Sequence, residues 1–215
     1  AFTELCRRDP KLAQALATHR DFGLPAHAMF AQLMPEKQRK LAAKKMFAKA
    51  QRAGDDVAWT PEMIALFAEL GEAEVDQAVR DQWHDYALRD AIIAALYANP
   101  RPQDRALFVE GLKETSAATV ARAAEALTGL SEAGTAKEIA AALGALKHFS
   151  ADQNARLTRQ AIAAAVSVLS EQEFKFEEEA EDEILAAYQP AFEWFAKTHP
   201  EEFAKLNRLS GDGGV

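Results

Sequence analysis

The residues best suited to chemistry lie in one short run, Trp83-His84-Asp85-Tyr86, with Arg89 three positions further on. Aromatic surface, a carboxylate and a guanidinium are the materials of binding, so Trp83, Asp85, Tyr86 and Arg89 are the candidate binding residues. Two of them also have structural readings. Asp85 has the form of a helix cap, and Arg89 that of a rung in a ladder between repeated helices. Catalysis has no comparable signal. The five histidines, His19, His27, His84, His148 and His199, never stand at i, i+4 with another histidine or a cysteine, so no zinc helix is written here. No Gly-x-Gly-x-x-Gly, Walker loop or Gly-x-Ser-x-Gly occurs. Cys6 has no identifiable base partner, and a single cysteine forms no internal disulfide. No catalytic residue, metal site or cofactor is predicted.

Charge narrows the partners. The formal charge of −8 is concentrated between Glu171 and Glu183, where eight acids face one base, Lys175. Solvation is the first reading of such a run, and capture of a cation or a basic partner the second. Glutamates in a run have no loop geometry that would converge their oxygens on a metal. The rest of the chain is near neutral, which disfavours nucleic acid, whose counterions must be displaced by Lys and Arg. The local exception is Lys37, Arg39, Lys40, Lys44, Lys45 and Lys49, expected on the solvent face of an outer helix. No apolar run approaches a membrane span, so no membrane insertion is predicted. The chain begins at Ala1 rather than Met, which reads as processing or excision from something longer, with any export signal removed.

The elements that must position these residues are helices. With 49% hydrophobic and 27% charged residues, 215 in all, the chain has the composition of a folded domain, and much of its apolar content is alanine. Period-two alternation is scarce, which argues against sheets. The offsets i, i+3, i+4, i+7 recur in Met63/Leu66/Phe67/Leu70, Leu88/Ala91/Ile92/Ala95, Val120/Ala123/Ala124/Leu127 and Ile139/Ala142/Leu143/Leu146. Turn chemistry punctuates them. Asp9-Pro10 divides two N-terminal helices, Phe22-Gly23-Leu24-Pro25 is a turn, and Pro35 starts a helix to about Gln51 that Gly54 closes. Thr60-Pro61 opens the next helix and Gly71 ends it. The spacing then predicts helices over Glu72 to Trp83, Asp85 to Ala98, Gln103 to Glu114, Ser116 to Leu130 and Thr135 to Phe149. Ser150 and Ser170 each begin a capping-box pattern, and a helix runs to about Leu169 between them. Pro190 is expected to disrupt the helical segment that starts after the acidic run. Thr198 has the form of a cap for the last helix, with Glu201 as its acid. Leu88 to Val120 spans 32 residues, and Val120 to about Leu157 spans 37, which is the range of two-helix repeats.

The run Asp85-Tyr86-Ala87-Leu88-Arg89-Asp90-Ala91, ending in Leu96, resembles the second helix of a HEAT repeat. That family places an Asp before the helix, then an apolar–Arg pair, then Ala and Leu on the buried face. Val120, Arg122, Ala123 and Leu127 resemble it with the Arg displaced by one, and a third copy lies near Arg156-Leu157. The resemblance covers roughly Pro61 to Leu169 and implies an all-α, right-handed α-α superhelix of five or six helix pairs. A narrower resemblance, carried by His-Asp-Tyr-x-Leu-Arg-Asp-Ala, is to HEAT segments that join a propeller-type sugar-dehydrogenase-like domain to a c-type cytochrome domain in large bacterial haem proteins. It implies the periplasm; otherwise the cytoplasm is expected. No Cys-x-x-Cys-His haem attachment is present, because Cys6 is followed by Arg7-Arg8.

The expected organisation is irregular N-terminal helices over 1–59, HEAT-like repeats over 60–170, an acidic loop or helix start over 171–183, capping helices over 184–209 and a flexible tail over 210–215. Phe192, Trp194, Phe195 and Phe203 are expected to close the end of the stack against water. The predicted function is a non-enzymatic scaffold or interaction module for a protein partner or a neighbouring domain. The alternative is a HEAT-like DNA glycosylase acting on alkylated bases, in which Trp83 and Asp85 would imitate an aromatic-and-aspartate cleft.

Overall fold

The computed structural model describes residues 2–176 and 184–209. It is helical throughout, and no strand occurs among the described residues. The chain divides into two compact units, Ala1–Ala98 and Asn99–Val215.

The first unit contains α1 (Phe2–Arg8), α2 (Pro10–Thr18), α3 (Ala28–Gln32), α4 (Glu36–Ala53), α5 (Pro61–Ala68), α6 (Ala73–Asp81) and α7 (Arg89–Tyr97). Local chemistry sets most of their ends. The Asp9 carboxylate accepts from the Lys11 and Leu12 N–H groups ahead of Pro10, and the Thr60 hydroxyl accepts from Met63 ahead of Pro61. Gly54 takes a positive φ of 56° at the C-cap of α4, and Gly71 one of 62° three residues after α5 ends, which leaves the predicted stripe residue Leu70 beyond the helix. Helices two apart pack on each other, α2 on α4, α3 on α5 and α5 on α7, and α4 and α5 also pack on the helices next to them in sequence. Met63, Leu66 and Phe67 are buried as expected. In α7 the buried face is Leu88, Ile92, Ile93 and Leu96, rotated from the predicted stripe because the larger side chains take the core and Ala91 and Ala95 fall to its margin.

Two lysines of α4 do not point outward as expected. Lys45 Nζ donates to the carbonyls of Thr18 and His19, and Lys49 Nζ donates to that of Arg20 at 3.0 Å. They reach carbonyls at and just beyond the end of α2, where a cation is also favoured by the helix dipole.

The second unit contains α8 (Arg105–Gly111), α9 (Ala117–Leu130), α10 (Ala136–Phe149), α11 (Arg156–Ser170), α12 (Gln189–Thr198) and α13 (Pro200–Leu209). Here α8 packs on α9 and α10, α9 on α11, α10 on α11 and α13, and α12 on α13. Burial in α9 recurs in α11 at a fixed offset. Thr119, Val120, Ala123, Ala124, Ala126 and Leu127 of α9 are buried, and so are the residues 39 positions on in α11: Thr158, Arg159, Ile162, Ala163, Ala165 and Val166. Both helices end with a left-handed non-glycine residue, Ser131 and Glu171.

This register corrects the third repeat copy. Leu157 is 79% exposed, and the place of Val120 is taken by Arg159, at 2%. A buried arginine is tolerated because its Nη1 donates to the carbonyls of Phe149 and Asp152, at the C-terminal end of α10, so charge and acceptors offset each other.

Both capping-box expectations after α10 fail for one reason. Ser150 and Ser170 stand at helix C-termini, where their hydroxyls donate back to the carbonyls of Leu146 and Ser167. Asp152 caps the entry to α11 instead, accepting from Asn154. Thr198 behaves likewise, donating to the Trp194 carbonyl at the end of α12. Pro190 opens α12 rather than disrupting it, since the second helical position needs no N–H. Phe195 is buried and Trp194 half-buried, and Phe174 and Phe176 of the acidic stretch join them in one aromatic cluster with Tyr188. The acidic positions 177–183 and the tail at 210–215 lie outside the described residues.

Candidate functional site

The predicted site occupies the turn between α6 and α7. After Asp81 the chain tightens into a single 3-10 turn over Gln82–His84, extends at Asp85, and turns once more over Tyr86–Leu88 before α7 begins. The Asp85 carboxylate accepts from the Ala87 N–H at 2.9 Å and so fixes the second turn. Buried Leu88 anchors it to the core.

Arg89, at the first position of α7, folds back over this turn. Its Nε donates to the Trp83 carbonyl at 3.2 Å. Its guanidinium carbon lies 3.8 Å from the centre of the Tyr86 ring and 4.9 Å from that of Trp83. A cation against two π faces is attracted to each by about 0.5–1 kcal/mol at a partly wet site. Trp83, Tyr86 and Arg89 therefore form one stacked ledge. Tyr86 is 77% exposed, so a large aromatic ring stands in water with its orientation fixed from beneath. Asp85 caps the 3-10 turn ahead of α7 rather than α7 itself, while Arg89 engages the turn that precedes it.

Beside this ledge is a recess of about 420 Å³, whose walls include Trp59, Asp81, Gln82, His84 and Asp85. Trp59 and Asp81 escaped the sequence reading. Trp59 comes from the loop before α5, and its indole meets Phe67 and Phe47 edge-on at 5.2 and 6.5 Å between centres. The signal for it was a tryptophan in a short polar loop with no helical stripe to join. His84 Nδ1 lies 2.8 Å from the Asp81 carbonyl, which can only accept, so Nδ1 is the donor of this contact.

No family model matches this chain, and no curated protein or solved structure matches it.

Five of the six bases in the α4 stretch are engaged within the fold. Arg39 pairs with Glu69, Lys40 with Glu36 and Lys44 with Glu72, and Lys45 and Lys49 are engaged on carbonyls. Phe47, the one aromatic of that stretch, faces the core. Cys6 is buried, and desolvation pushes its thiol up, away from the reactive thiolate. Among the described residues no group of three or more His, Cys, Asp or Glu converges on a possible metal position, and no helix is long and apolar enough to cross a membrane.

A larger recess of about 600 Å³ lies in the second unit, where α13 meets α10 over Ala141, Gly144 and Ala145. Its rim charges are of both signs and partly paired, Lys113 with Glu110 and Lys205 with Glu202, so it selects no ligand charge.

Proposed function

We propose that this chain is a non-enzymatic interaction module built from HEAT-like helical hairpins, and that the α6–α7 turn is where it grips a protein partner. Tyr86 carries the reading. A ring that is 77% exposed yet stacked on a guanidinium loses little rotamer entropy when a partner covers it. Tyrosine, tryptophan and arginine are also the residue types that dominate binding energy at protein interfaces. The helix pairs of each unit supply the rigid support such a ledge needs, in the manner of HEAT repeats wound as a right-handed superhelix.

The test is photocrosslinking in cells of the native source, with a benzophenone amino acid at position 86 and, as control, at the less exposed Tyr97. The expected result is a discrete protein adduct from position 86 that Arg89→Ala weakens at least fivefold, with helicity by circular dichroism unchanged. Equal adducts from both positions, or no adduct at 86, would refute it. So would tight binding to duplex DNA that falls steeply with salt, which is the behaviour of the glycosylase alternative.

A further inference from the structure

The recess beside the ledge has a chemistry of its own. Among its described lining residues the carboxylates are Asp81 and Asp85, and no Lys or Arg is among them. Each aspartate spends one carboxylate oxygen on the fold: Asp81 Oδ1 accepts from Gln77 Nε2 at 2.8 Å, and Asp85 Oδ1 accepts from the Ala87 N–H. A carboxylate has roughly four lone-pair positions, so both keep acceptor capacity after these bonds. His84, oriented by the contact of its Nδ1 with the Asp81 carbonyl, adds an imidazole edge. The Trp59 indole supplies an aromatic wall. A recess that offers two carboxylates with spare acceptor positions, no basic side chain and an aromatic wall is complementary to an organic cation. It repels phosphate and carboxylate for the same reason.

We infer that this recess binds the lysine or arginine side chain of a protein segment whose neighbouring residues lie across Tyr86. The inference rests on the interaction-module reading and adds to it the charge of the partner. The turn already shows how this fold holds such a group, since Arg89 sits against two aromatic rings one turn away. Volume agrees: about 420 Å³ admits one long side chain with its hydration but no folded element. Because Asp85 of the recess adjoins Tyr86 of the ledge in the chain, one extended segment would meet both.

The test uses the whole chain and the terminally blocked peptide acetyl-Gly-Arg-Gly-Arg-Gly-amide, with its Glu-substituted counterpart as control. Binding is followed by the indole N–H resonance of Trp59 and the ring resonances of His84. The expected result is a saturable shift at both residues with the Arg peptide and none with the Glu peptide. Combining Asp81→Asn with Asp85→Asn should weaken binding at least tenfold, since asparagine still accepts from Gln77 and Ala87 and leaves the turn intact. Unchanged affinity in that double variant would overturn the inference. So would shifts that spread over residues 171–176 and spare Trp59, which is non-specific charge attraction. If the position-86 adduct forms normally in the same double variant, this inference falls and the interaction-module reading stands. If no adduct forms in the wild type, the broader reading falls first.

Discussion

Arg105 and Glu138 join α8 to α10, and their removal gives a sharp test of how the second unit is held. Arg105 Nε donates to Glu138 Oε1 at 2.8 Å and Nη2 donates to Oε2 at 3.3 Å. The two side chains are only 15% and 17% exposed. Glu138 Oε2 also accepts from the Thr135 N–H at 2.6 Å, closing the capping box of α10. Glu138→Ala thus removes a two-pronged charged contact and half of a cap. A hydrogen bond to a charged group contributes about 1.5–3 kcal/mol and a cap about 1 kcal/mol. Arg105 is not stranded, because the carbonyls of Glu132 and Ala133 still accept from it, which offsets part of the loss. The expected destabilisation is about 2 kcal/mol, or roughly 4–8 °C in Tm for a chain of this size.

The same contact has a pH signature. The hydrogen bond from Arg105, followed by that from the Thr135 N–H, holds the Glu138 carboxyl below its usual range against the opposing effect of burial. A pKa depressed in the folded state stabilises above the unfolded value of about 4.3, and that stability is lost as pH falls through the lower folded value. The Tm gap between wild type and Glu138→Ala, followed by circular dichroism, should be full at pH 7 and narrow below about pH 4.5 as the wild-type contact protonates. A double-mutant cycle with Arg105→Ala should return a coupling of about 1–2 kcal/mol. The exposed pair Lys113–Glu110 is the control, and Glu110→Ala should cost no more than about 0.5 kcal/mol. If Glu138→Ala costs no more than Glu110→Ala, or if its Tm gap is flat with pH, the contact does not hold α8 to α10.

Two further substitutions test the packing of α9 and α11. Leu127→Asp places an unpaired carboxylate at a fully buried position of α9 and should destabilise by several kcal/mol, about 3 or more, in urea denaturation; an unchanged midpoint would put the buried face elsewhere. Gly134→Ala would bring a Cβ to 2.9 Å from Leu169 side-chain atoms and 3.2 Å from the Leu169 carbonyl, which itself accepts from the Gly134 N–H. The expected cost is about 1–3 kcal/mol. Gly129→Ala, with open space around it in α9, is the matched control and should be neutral or stabilising.

The helices themselves were legible because their rules are local. Thr60-Pro61, Asp9-Pro10 and Gly54 act within one turn of chain, and each begins or ends a helix where the sequence put it, while α5 stops three residues short of Gly71. The stripes of α9 and α10 were legible for the same reason, since four apolar residues at helical spacing define a face before any neighbour is known. The candidate turn was half legible. Trp83, Asp85, Tyr86 and Arg89 fall within seven residues, so their meeting required no distant partner. The serines at 150 and 170 were misread because a hydroxyl serves either end of a helix, and the pattern Ser-x-x-Gln or Ser-x-x-Glu does not say which end is present.

By itself, then, the sequence determined an all-helical chain, most helix ends, and the clustering of the α6–α7 aromatics around Arg89. The tertiary structure decided whatever depends on a group about ten to forty residues away. It buried Arg159 in place of Leu157, since carbonyls at the end of α10 were there to receive it. It turned Lys45 and Lys49 from solvent toward the end of α2, paired Arg105 with Glu138, and set Trp59 in the wall of the recess that holds Asp81 and His84. Helical periodicity assigns a residue to a face but says nothing of what that face meets. A charged side chain is placed by the acceptors available to it, and folding alone brings those acceptors within reach.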